Sequence, residues 1–101
     1  MKRMLLTALV AGAVGFAGVA QAAGDAAAGK AKATACAMCH GPLGQGTQMA
    51  PRLAGTDPAH FVQSLHDFQS GKRDNPMMKA QVANLSPDDM ANLAAYYASL
   101  Q

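Results

Sequence analysis

Cys36-Ala37-Met38-Cys39-His40, the run CAMCH, contains both cysteines of a 101-residue chain. How this pair is used decides the fold, and two thiols at this spacing have four uses. A disulfide across two intervening residues closes a tiny loop and restrains the unfolded chain little. A thioredoxin-like redox pair shares the Cys-x-x-Cys spacing but belongs in a βαβ unit, and no segment here alternates as strands do. A structural zinc site needs four ligands, and the remaining histidines, His60 and His66, have no paired spacing to complete one. The fourth use is covalent attachment of haem. Two thiols three positions apart can add to the two vinyl groups of one haem, and the histidine that follows can supply an axial nitrogen.

The surroundings favour the fourth use. The chain opens MKRMLLTALVAGAVGFAGVAQA: a short basic start, an uncharged Leu/Val/Ala/Gly stretch, then the small-x-small site Ala20-Gln21-Ala22. That is the layout of a secretory signal peptide. The rival is a retained anchor, but the stretch is only weakly apolar for a membrane-spanning helix. Residues 1–22 are therefore expected to be cleaved, leaving a single domain of residues 23–101 in the periplasm of a bacterium, with no stable membrane insertion. That mature part balances six basic against six acidic side chains, so it carries no clustered positive charge for nucleic acid. Its four aromatics are Phe61, Phe68, Tyr96 and Tyr97, with no Trp. A domain this small and this poor in aromatic residues needs a staple, and a haem held at CAMCH would be one.

The periodicity predicts an all-α fold of three main helices and two irregular stretches. The first helix runs from an Asp25 cap through an alanine-rich segment to His40, where Gly41-Pro42 stops it. A long Gly/Pro-rich loop follows, GPLGQGTQMAPRLAGTDP. The second helix is capped by Thr56 or Asp57, starts at Pro58 and ends at Gly71, with Phe61, Val62, Leu65 and Phe68 on one stripe. KRDNP is a polar break, and MMKAQVAN forms a short helix or turn. In the last helix Ser86 caps, Pro87 opens, Asp88 and Asp89 favour the positive end of the dipole, and Met90, Leu93, Ala94 and Tyr97 face inward.

The pieces GDAAAGKAKATACAMCHG, APRLAG, FQSGKRDNPMM and LSPDDMANLAAYYASL occur in an order that resembles class I cytochromes c. The likeness covers nearly the whole mature chain. It is strongest to small bacterial single-haem cytochromes of the c553 type and to one domain of the dihaem cytochrome c4 family. The resemblance implies a cytochrome c fold around one covalently bound haem c, with Cys36 and Cys39 as thioether tethers and His40 as proximal iron ligand. It places the distal methionine shortly before LSPDD, which favours Met78, with Met77 as runner-up and Met49 third. Met38 lies inside the attachment loop, on the wrong side of the ring, and Met90 reads as core. A neutral, soft methionine sulfur opposite a histidine raises the reduction potential. His60 or His66 as sixth ligand is the less favoured arrangement.

The resemblance also assigns the acceptor for the other ring nitrogen of His40 to the backbone carbonyl of Pro51, and it pairs Gly29 with Leu93 and Tyr96 where the first and last helices cross. Lys30, Lys32, Lys72, Arg73 and Lys79 read as solvated, some of them available to steer a partner. The function implied is a one-electron carrier and not an enzyme. It would work as a monomer docking transiently with redox proteins: a membrane oxidoreductase, a terminal oxidase or a soluble dehydrogenase. The chain contains no Glu and no nucleophile–base signature. The alternatives are a haem subunit of a larger oxidoreductase, or an open-site haem protein such as a gas sensor or peroxidase-like protein.

Overall fold

A computed structural model describes residues 24–101; the expected leader lies outside them. Among the described residues there are five helices and no strand: α1 Ala26–Lys32, α2 Thr34–His40, α3 Pro58–Ser70, α4 Pro76–Val82 and α5 Pro87–Ala98. The all-α class is as expected, but the number of helices is not. The single helix expected up to His40 is interrupted at Ala33, whose ψ of −3° lies at the edge of the right-handed helical region. Its N–H reaches Lys30 O, three residues back, at 3.2 Å. That tightened turn separates α1 from the segment carrying CAMCH, and Ala33 itself is buried. The stretch after KRDNP is a true helix, α4, opened by Pro76 and capped by Asn75, whose side chain accepts from Met78 N–H at 3.0 Å.

The other ends follow capping chemistry. Asp57, rather than Thr56, caps α3 by accepting from His60 N–H at 3.0 Å, a contact worth about 1 kcal/mol. Thr56 instead donates to Leu53 O at 2.7 Å. Gly71 closes α3 with a φ of 84°, the left-handed geometry that glycine adopts at no steric cost. At α5, Ser86 and Asp89 form a reciprocal capping box, each side chain accepting from the other's backbone N–H. Asp89 also pairs with Lys32 at 3.6 Å, joining the end of α1 to the start of α5. Lys32 is exposed, as expected, while making this pair. Arg73 is exposed too, with its guanidinium 4.4 Å above the centre of the Phe68 ring.

The core gathers Phe61, Leu65 and Phe68 of α3, Val82 of α4, and Met90, Leu93, Ala94, Tyr96 and Tyr97 of α5. Complete burial of a side chain such as Leu93 contributes about 1.5–3 kcal/mol. Phe61 and Tyr97 stack with centroids 5.6 Å apart. α1 crosses α5 at short range. Asp25 N–H donates to Asn92 Oδ1 at 2.8 Å, and a Cβ on Gly29 would come within 2.8 Å of Tyr96 Cβ. The crossing between first and last helices thus uses Gly29 and Tyr96 as expected, with Asn92 in addition. The long loop is anchored at its far end by Gly55 N–H to Tyr97 O at 2.8 Å. No helix among the described residues is long and apolar enough to cross a membrane.

Candidate haem site

Cys36, Cys39 and His40 sit at i, i+3 and i+4 of α2, so one helix face carries all three. The two thiols are free, not joined to each other, and both are half-buried. They differ in surroundings. Cys36 packs against the core, and burial pushes its thiol pKa up, an effect only partly offset by the hydroxyl of Tyr97. Tyr97 is fully buried. Burial first, and then its contact with Cys36, push its phenol above the ordinary tyrosine range. Both groups therefore stay protonated at neutral pH.

His40 is buried, with 6% of its surface exposed. Its Nδ1 lies 2.6 Å from Pro51 O. A carbonyl can only accept, so Nδ1 carries the proton and Nε2 presents a lone pair. Nε2 has no hydrogen-bond partner among the described residues. A buried ring nitrogen without a protein partner is costly unless it binds something else. The other residues needed for a structural metal site are not near: among the described residues no three His, Cys, Asp or Glu side chains come together.

The loop between His40 and Pro51 is built for a tight return. Gly41, Gly44 and Gly46 take positive φ values of 97°, 64° and 93°. Gly46 N–H donates to His40 O at 2.8 Å, and Leu53 and Ala54 N–H both donate to Gly44 O. Gly44 also lies against Tyr97, where a Cβ would meet the ring at 2.6 Å. The loop is thus held between the CAMCH turn and α5.

The methionines divide by exposure. Met38, Met49 and Met77 are 80%, 71% and 68% exposed. Met78 is half-buried and packs against the core cluster, and Met90 is a core residue. His60 and His66 both lie on exposed positions of α3. On the Met78 side, Gln69 of α3 donates to Val82 O at 2.8 Å and Leu85 O at 3.1 Å, fixing the end of the helix that carries Met78. Gln69, Asn92 and Thr47 were not singled out from the sequence, because their partners are distant in the chain or are backbone atoms.

Comparison with known proteins gives the family. Residues 22–96 match the family model described as "Cytochrome C oxidase, cbb3-type, subunit III". The chain is 42% identical over 100 residues to cytochrome c4 of Pseudomonas aeruginosa, covering 98% of this chain and 49% of that protein. It is 44% identical over 91 residues to cytochrome c-554(547) of Halothiobacillus neapolitanus, covering 78% of this chain and all of that protein (100%). The solved structure of Acidithiobacillus ferrooxidans cytochrome c4 superposes with a TM-score of 0.74 at 36% identity, over 77% of this chain and 51% of that one. The chain belongs to the class I c-type cytochromes. It spans about half the length of the cytochrome c4 relatives it matches.

Proteins of this family carry covalently bound haem c. The residues present fit such a group. Two thiols share a helix face with a buried imidazole whose Nε2 is unpartnered. Cys36 packs against the core cluster, as do Leu53, Met78, Leu85 and Leu100, apolar side chains that the protein covers only in part.

Proposed function

We propose that this protein is a one-electron carrier, exported across a bacterial inner membrane and working in the periplasm. In this reading one haem c is tethered by Cys36 and Cys39, with His40 as proximal ligand and Met78 as distal ligand. Residues 1–22 are the cleaved leader and residues 23–101 the working domain. The observation that carries the reading is the state of His40: buried, donating from Nδ1 to Pro51 O, with Nε2 unpartnered among the described residues, on the same helix as both thiols.

The bound haem would supply a one-electron iron couple. The chain's own residues do the rest. Cys36 and Cys39 would tether the haem through sulfur at two points. Pro51 O holds the imidazole in one tautomer and one orientation, which raises the basicity of the ligating nitrogen. Met78 is favoured over Met77 because it is half-buried against the core while Met77 is largely in water. With His40 and Met78 both holding the iron, the group would change charge with little rearrangement, which suits a carrier, and no position would remain for substrate. Redox proteins are the partners that this chemistry serves, by transient docking of a monomer over a small patch.

The test substitutes the two methionines separately. Met78→Ala should abolish the weak far-red band of the oxidised protein, lower the reduction potential and open the reduced protein to carbon monoxide. Met77→Ala should do none of these. The reverse pattern would move the ligand to Met77. Carbon monoxide binding by the unaltered reduced protein, with no far-red band when oxidised, would replace the carrier with an open-site haem protein. A second reading, a permanent subunit of a larger oxidoreductase, is favoured by one observation: the family model is described as an oxidase subunit. Gel filtration of the native protein from its source separates the two.

A further inference from the structure

We propose that Thr47 is a positioning residue for His40, its hydroxyl pinning the return loop to the CAMCH turn so that Pro51 O stays against Nδ1. The inference rests on His40 being the proximal ligand.

The loop leaves α2 at Gly41 and must bring Pro51 back to the imidazole eleven positions after His40. A glycine-rich segment gains much freedom when unpinned. Besides the backbone ties at Gly44 and Gly46, three bonds meet at Thr47, two of them at its hydroxyl. Thr47 Oγ donates to Cys39 O at 2.5 Å. The same oxygen accepts from Met49 N–H at 3.0 Å. Thr47 N–H donates to Ala50 O at 2.8 Å, closing a four-residue turn, and the next residue is Pro51.

The direction of each bond is fixed, because the Cys39 carbonyl has no proton to give. Cys39 O is also among the last carbonyls of α2, which lack a partner within their own helix. One hydroxyl therefore caps the attachment helix and holds the Met49 amide within the turn that leads to Pro51, beside the backbone bond from Thr47 N–H to Ala50 O. A valine has the same shape and can do neither.

The consequence reaches the iron through the imidazole. Donation from Nδ1–H to Pro51 O makes Nε2 more basic, and a more basic ligand favours the oxidised state. Loosening Pro51 weakens that donation, so the reduction potential rises.

The experiment compares holoprotein carrying Thr47→Val or Thr47→Ser with the unaltered protein. Thr47→Val should shift the potential upward and speed exchange of the His40 Nδ1 proton and the Met49 amide. Thr47→Ser, which keeps the hydroxyl, should restore both. An unchanged potential in the valine variant, or an equal shift in the serine variant, overturns the proposal. Where the valine variant does not accumulate, the unaltered protein decides: a Met49 amide exchanging at the free-peptide rate also overturns it. His40→Ala separates the two levels. If His40→Ala leaves the spectrum unchanged, the ligand reading itself fails. If it changes the spectrum while Thr47→Val changes nothing, the Thr47 inference alone fails.

Discussion

Gly29 of α1 lies directly under the carbonyl of Asn92 in α5: a Cβ at position 29 would sit 1.9 Å from that oxygen. The obstacle is backbone, so it cannot swing aside as a side-chain tip would. Gly29→Ala must push the two helices apart at the crossing that Asp25–Asn92 and Lys32–Asp89 hold on either side. The expected loss is about 1–3 kcal/mol of stability, read as a lower denaturant midpoint of the holoprotein. An unchanged midpoint would mean that the crossing is looser than described.

Gln69 should matter more than a partly exposed glutamine usually does. Its amide satisfies two carbonyls at and beyond the end of α4. Gln69→Ala should cost about 1–2 kcal/mol. With Met78 as the proposed distal ligand, it should also lower the pH at which the far-red band disappears, because the helix bearing Met78 loses its tie to α3. The band's alkaline midpoint, measured beside the denaturant midpoint, tests both parts.

The two tethers should be unequal. If both cysteines tether haem as proposed, Cys36→Ala and Cys39→Ala would each leave one thioether, so haem should remain bound through denaturing electrophoresis in both, and only the double variant should lose it. Cys36→Ala also removes the contact of a fully buried Tyr97 hydroxyl. It should therefore be the less stable of the two, by about 1–3 kcal/mol for the stranded polar group. Equal stability would show that Tyr97 finds another partner.

Acid should loosen the start of α5 through Asp89. Its carboxyl is held below the ordinary Asp value of 3.8, first by the Ser86 N–H and then by the Ser86 hydroxyl and Lys32. A carboxylate whose folded pKa is depressed stabilises the fold above the unfolded value and loses that contribution as pH falls through the folded one. Stability should therefore decline below about pH 4, and Asp89→Asn should be less stable at neutral pH with a flatter acid limb. A variant with an acid limb as steep as the unaltered chain's would assign the effect to other carboxylates.

Much of this was legible in the sequence, for identifiable reasons. Asp57-Pro58, Ser86-Pro87 and Gly71 are local signals, and a cap needs only its neighbours. CAMCH is equally local, since its three side chains share one helix face by spacing alone. The break at Ala33 was not legible, because AKATAC contains no breaker and the turn tightens around a buried alanine. Lys32–Asp89, Gln69–Leu85 and Asp25–Asn92 join positions far apart in the chain, and one sequence does not reveal such pairs. Thr47 was hidden for another reason: a single threonine in a glycine-rich loop looks like filler until the carbonyl it reaches is known.

The partner of His40 Nδ1 is an oxygen of the main chain. No exchange of the Pro51 side chain deletes that atom. A scan of every single substitution would score position 51 only by how each residue bends the loop, and would not register the oxygen at all. Reaching it takes an edit to the polymer itself, such as an ester in place of the amide that follows Pro51. The proposed haem site thus has a component that is inherited as a path of the backbone, not as the identity of an amino acid.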